Sequence, residues 1–244
     1  MGFTGKRTTS PDNYDPTHLD LSNIVKYLSP QFPLLHYIGD NIEEAKSVIH
    51  VYGDKRFNEA QWFRSCVRSS ESKTLDALHE AQNRAVARCL TQLERAVLYG
   101  FREVQSLGGL EYNTVRVLAA TKFATLFSCL DYATERMRQE HAVFNTLVVH
   151  PNIQNRLAAE NCTHGMPYYQ SKDGIIWVVS TESISEDHGF IFHSDHIAIL
   201  PLVNQSFHYI PMGQNHGEVC GAYTLEVRDH NSITMMTDLQ SIVD

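Results

Sequence analysis

From about Thr74 to Tyr99, the residues Leu75, Leu78, Ala81, Ala85, Cys89, Leu93, Ala96 and Val97 recur at three- and four-residue steps. All of them therefore lie on one face of an α-helix. The ends carry matching signals: Thr74 suits the N-cap with Asp76 in the first turn, and Gly100 closes the run. Glu80 and Arg84 are spaced as an i,i+4 ion pair. At 1.5 Å per residue such a helix spans roughly 40 Å, long for a small domain. It predicts a spine crossing the molecule, along which the rest must be arranged.

A second helix is predicted over about Thr114 to Gln139, with Val115, Ala119, Phe123, Leu126, Phe127, Leu130, Ala133 and Met137 on one side. Thr146-Leu147-Val148-Val149 reads as a buried strand, and Pro151 is placed to open a short helix. The remainder is mostly β, with short strands at 175–179, 190–193, 197–203 and 207–210. Strands at 219–227 and 233–236 then flank Asp229-His230-Asn231-Ser232, which reads as a hairpin. Tyr223, Leu225 and Val227 alternate with Thr224, Glu226 and Arg228, giving one covered face and one wet face. The class is α+β.

The first part of the chain offers less to pack. Residues 1–18, rich in Gly, Thr, Ser, Pro and Asp, read as an arm. Leu21, Ile24, Val25 and Leu28 form a short amphipathic stretch that Pro30 and Pro33 are expected to end. Between Tyr37 and Arg64, the β-branched and aromatic run Ser47–Tyr52, the turn Gly53-Asp54 and the limb Phe57–Phe63 suggest a hairpin-like excursion without its own core. Such limbs become stable when draped over neighbouring copies. Val48, Val51, Tyr52, Phe57, Trp62 and Phe63 are accordingly candidate subunit contacts. Glu94 and Arg95, beside the apolar stripe of the spine, are candidates for a partly buried ion pair at such a contact.

Composition removes several function classes. A formal charge of −8 argues against a dedicated nucleic-acid binder, though not against a container for DNA. The five cysteines are scattered without a Cys-x-x-Cys pair and read as small hydrophobes in a reducing compartment. No apolar run approaches the length of a membrane span, so no membrane is expected. Phosphate-binding, dinucleotide-binding and nucleophile-elbow motifs are absent. His188, His193 and His196, near Glu186, Asp187 and Asp195, are of metal-binding types. They flank a turn with no second ligand cluster, so turn residues are the expectation, with no metal, cofactor or catalytic residue.

The order of these segments resembles the major capsid proteins of tailed phages, the Hong Kong 97-type (HK-97) fold that encapsulin shells share. Tyr37-Ile38-Gly39-Asp40 followed by Val48–Phe57 looks like entry into that family's extended loop, and Leu93–Gly100 resembles the end of its spine helix. Asn145–Pro151 is similar to the start of its axial domain, Gly174–Thr181 and Gly189–Leu202 to later axial strands, and Ala222–Thr237 to the last peripheral strands. The resemblance implies an N-terminal arm at 1–36, an extended loop at 37–70, and a peripheral domain with the spine at 71–112. An axial domain at 113–217 and peripheral return strands at 218–244 complete it.

It also implies a non-enzymatic virion protein of a bacteriophage that self-assembles, in the host cytoplasm, into hexamers and pentamers of an icosahedral shell. Portal, scaffolding and decoration proteins would be its partners, and packaged double-stranded DNA its contents, held without sequence specificity. An encapsulin-like compartment, a tail or neck protein, and a metal-dependent hydrolase using the histidine cluster are the alternatives.

Overall fold

The computed structural model describes residues 19–39, 61–68, 75–100, 108–160, 167–172, 174–201, 206–213 and 216–242. The arm 1–18 and residues 40–60, with Val48, Val51, Tyr52 and Phe57, lie outside the described residues, as does Thr74. The helices are α1 (Ser22–Leu28), α2 (Pro33–Gly39), α3 (Leu75–Tyr99), α4 (Leu126–Gln139) and α5 (Pro151–Glu160). The strands are β1 (Leu19–Asp20), β2 (Gln61–Arg68), β3 (Arg116–Ala119), β4 (Thr146–Val149), β5 (Tyr168–Ser171) and β6 (Gly174–Ser180). They continue with β7 (Gly189–Phe192), β8 (Ile197–Pro201), β9 (His208–Pro211), β10 (His216–Val227) and β11 (Thr234–Thr237).

The spine forms as its periodicity requires. Ala81, Ala85, Cys89, Leu93, Ala96 and Val97 are all buried, and Arg84 Nη1 meets Glu80 Oε1 at 2.6 Å on the wet side. Gly100 ends the helix at φ 68°, a conformation glycine adopts without strain. The chain then returns along the helix end, Leu110 and Glu111 donating to the carbonyls of Val97 and Leu98. This needs a second glycine, because a Cβ on Gly109 would stand 2.4 Å from Gly100 N and 2.7 Å from the Tyr99 backbone. Gly109→Ala is expected to cost about 1–3 kcal/mol, visible as a lowered thermal midpoint.

Two sheets flank the spine. In the antiparallel sheet, β10 pairs with β2 along one edge, and with β9 and then β8 along the other, while β1 extends β9. The six-stranded mixed sheet runs β3-β11-β7-β4-β6-β5, with parallel pairs β3–β11 and β4–β6. Both of its faces are covered. Leu147, Val149, Ile176, Ile191 and Met236 pack with Leu130, Met137 and Leu157 of α4 and α5. Val148, Val179, Phe190 and Phe192 point the other way, into the core built from α1, α2, α3 and the antiparallel sheet. None of the described helices is long and apolar enough to cross a membrane.

Several sequence expectations are corrected. The helix expected over 114–139 starts only at Leu126, because Arg116–Ala119 pairs with β11 and Thr125 caps α4 through a reciprocal bond with Ser128. Pro33 opens α2 and does not end a helix, since its missing N–H is an orphan there anyway. The segment after β10 is not a hairpin: Asp229–Ser232 carries the chain out of the antiparallel sheet, and β11 pairs with β3 and β7. Within 19–36, Leu21, Leu28, Leu34 and Leu35 are buried in this chain's main core. β8 and β9 join β10 in the antiparallel sheet, and β11 joins the mixed sheet.

Candidate functional site

Glu94 is a buried acid that accepts three hydrogen bonds. It lies on the inner face of α3, 2% exposed, among Leu90, Leu93, Val97 and Leu98. A carboxylate is stable there only if donors replace its water. Oε1 accepts from Leu34 N–H at 3.1 Å, and Oε2 from the hydroxyls of Thr181 at 2.9 Å and Ser183 at 2.7 Å. One side chain thus ties the spine to α2 and to the turn after β6. The expected partner Arg95 is exposed instead, because adjacent helix residues point about 100° apart. A second tether lies nearby: Tyr37 Oη is 3.0 Å from Thr146 Oγ1, which donates to Asn145 Oδ1 at 2.7 Å.

Trp62 and Phe63 part company as strand residues must. Phe63 faces inward at 1% exposure, edge-on to Tyr223, and belongs to this chain's own core. It is therefore not free to touch another copy. Trp62 is 44% exposed on the outer face of β2, with the Arg64 guanidinium over its ring at 5.4 Å. Cys66 and Arg68 continue that face outward.

On the same face, register aligns Asp20, His208, Cys220 and Arg64 across four strands. His208 Nδ1 donates to Ser206 O at 2.8 Å, which leaves Nε2 to accept from the Cys220 thiol at 3.2 Å. That pair was not found in the sequence. It resembles a nucleophile–base arrangement, but Cys220 is 3% exposed and burial pushes its thiol above the usual range, so it stays protonated. Burial likewise pushes Cys89 and Cys129 up to about 12, in keeping with thiols used as small hydrophobes.

The histidines do not converge. His188 Nδ1 lies 3.2 Å from Tyr99 Oη, whereas His193 and His196 have their rings 4.9 Å apart beside Asp195 and Asp229. Among the described residues no group of three or more His, Cys, Asp or Glu side chains is placed to hold a metal ion.

The mixed sheet carries its largest exposed apolar groups at its two ends. At the β5–β6 end, Trp177 and Ile175 are about half exposed, and Tyr168 stands edge-on to Trp177 at 6.2 Å. At the β3 end, Val115 and Val117 are exposed, with Tyr112 just before them. No family model and no curated protein matches the chain. Its backbone, however, superposes on a structure from Mycobacterium phage Bobi with a TM-score of 0.56 over 73% of this chain and 71% of that one, at 10% identity. The capsid asymmetric unit of cyanophage A-1(L) matches with 0.51 at 12% identity, over 76% and 77% of the two chains. The fold is the Hong Kong 97-type capsid fold.

The same fold recurs in the holo-SrpI encapsulin complex from Synechococcus elongatus PCC 7942, with a TM-score of 0.52 at 11% identity over 75% and 74%. The capsid fold of this chain therefore has its spine in α3, anchored by Glu94, and its apolar sheet ends turned outward.

Proposed function

We propose that this chain is a coat subunit, a major capsid protein that assembles into an icosahedral shell around the double-stranded DNA of a tailed phage. The observation that carries the reading is the match of some three-quarters of the chain to the cyanophage A-1(L) capsid asymmetric unit and to a structure from Mycobacterium phage Bobi. In this reading the antiparallel sheet with α3 is the peripheral domain and the mixed sheet with α4 and α5 the axial domain. The exposed apolar groups at the two ends of the mixed sheet suit a head-to-tail contact, which closes into rings. Trp62, and Val48, Val51, Tyr52 and Phe57 of the extended loop, are proposed to touch neighbouring copies as well.

The subunit then works without catalysis or cofactor, as part of a virion made in the host cytoplasm. Hexamers and pentamers of this chain, a portal, a scaffolding activity and decoration proteins are its proposed partners, and DNA is held without regard to sequence. A cellular compartment is the second reading, supported by the likeness to the encapsulin complex at nearly the same TM-score. Electron microscopy of the purified chain, alone and with co-expressed phage partners, tests both. Uniform hollow particles are expected, and recovery only of a compact monomer under every condition would refute the shell. Particles carrying a protein cargo in place of DNA would favour the compartment. Trp177→Glu is expected to abolish particles while leaving the circular dichroism of the subunit unchanged, because a charge cannot be buried in an apolar contact without a partner.

A further inference from the structure

Among the described residues the chain passes between its two sheets three times: through 108–115 after α3, through 193–196 after β7, and through 228–233 after β10. All three passages meet in one place. Val115 N–H donates to Ile233 O at 3.4 Å, and the Arg116 guanidinium donates to Asn231 O. Arg228 N–H donates to His196 O at 2.8 Å, and Arg228 Nη1 to Asp195 O at 3.1 Å. Asn231 N–H in turn holds Asp229 Oδ1 at 2.9 Å, fixing that carboxylate to the third passage.

His196 sits between the second and third passages. Its Nδ1 is buried without a hydrogen-bond partner and stands 3.6 Å from Asp229 Oδ2, beyond hydrogen-bonding reach. Arg228 Nε is also buried and unpaired. An unpaired buried nitrogen facing a carboxylate across a short gap is a group whose bonding is incomplete in one protonation state.

We propose that this junction is a proton-operated hinge: a proton taken up by His196 resets the contact between the two passages and frees the two sheets to change their mutual setting. Protonated Nδ1 becomes a donor, and the nearest acceptor is Asp229. At 3.6 Å that acceptor stands out of bonding reach, so the charge is left on a buried nitrogen beside His193 and Arg228, and relieving it favours parting of the two passages. Around His196 stand His193 at the end of β7, Asp195 on the same passage, and Arg228 and Asp229 at the end of β10.

Burial first and His193 next hold His196 below the ordinary histidine range, with Asp229 and Asp195 pulling upward and Arg228 downward. The sign follows. The arrangement described favours neutral imidazole, so its stabilisation is present above the ordinary histidine pKa and is lost as pH falls below it. Acid opens the hinge. The inference holds whether or not the chain builds a shell.

Hydrogen exchange read by mass spectrometry on the full, unassembled chain tests it. Between about pH 7.5 and about pH 5.5, with intrinsic rates corrected, peptides spanning 193–200 and 228–233 are expected to lose protection by about tenfold. Peptides of α3 are expected to hold theirs. His196→Gln removes the titrating group and should abolish the response. Asp229→Asn keeps His196 but removes an attractive charge, and should move the response to lower pH. An unchanged response in His196→Gln, or none in the parent chain, overturns the proposal. If His196→Gln does not fold, an unshifted response in Asp229→Asn overturns it alone.

Discussion

Glu94→Ala lowers the unfolding free energy of the subunit by about 2–3 kcal/mol, the upper range for leaving a buried donor without its charged acceptor. The substitution strips the acceptor from Leu34 N–H and from the hydroxyls of Thr181 and Ser183 at once. The hydroxyls can rotate toward one another, but the amide cannot, and it stays buried. Removing a buried carboxylate also removes its desolvation cost, which keeps the loss from being larger. Glu94→Gln separates these effects: its oxygen can still take the Leu34 amide, and its nitrogen can donate to the two hydroxyl oxygens. A loss of about 1–2 kcal/mol is expected there. Urea unfolding of unassembled chain, followed by circular dichroism, reads both. An alanine variant within 1 kcal/mol of the parent would mean that Glu94 does not hold the spine to α2, a margin set by the net worth of a single hydrogen bond.

Phe63→Ala costs more, about 3–5 kcal/mol, because a fully buried ring is replaced by a cavity that its strand neighbours cannot fill. Its neighbour gives the opposite result. Trp62→Ala changes stability by less than about 1 kcal/mol, since its ring is half exposed beneath the Arg64 guanidinium. On the shell reading, that same substitution lowers the yield of assembled particles. The pair makes a matched test on adjacent residues: denaturation midpoint for one, particle yield for the other. Equal destabilisation by both would show that Trp62 packs on its own subunit.

The spine was legible because its signal is local: an unbroken apolar stripe with an ion pair and a terminal glycine needs no distant partner. The β3 region was not, because Val115, Ala119 and Phe123 fall by chance at helical spacing, while the deciding partner, β11, lies more than a hundred residues away. The supposed hairpin failed for a related reason. Asp229-His230-Asn231-Ser232 has turn chemistry, and turn chemistry serves a passage between sheets as well as a tight return.

Glu94 was singled out, but with the wrong partner. An acid among Leu90, Leu93 and Val97 already signals burial by its position, yet Leu34, Thr181 and Ser183 could be named only from the folded chain. The Cys220–His208 contact had no sequence signal, because it depends on the register of β9 against β10.

β4 is apolar on both sides, so hydrophobicity cannot tell its correct alignment from one displaced by a single residue. A slipped strand would exchange Leu147 and Val149 with Val148 and still bury oil against oil. What distinguishes the two alignments is the polar clasp at the strand's entrance, where Thr146 meets Tyr37 and Asn145 meets Ser194. The fidelity of the molecule's central wall thus rests on a handful of hydroxyl and amide groups. Loss of those groups would leave a protein that is still compact but no longer unique.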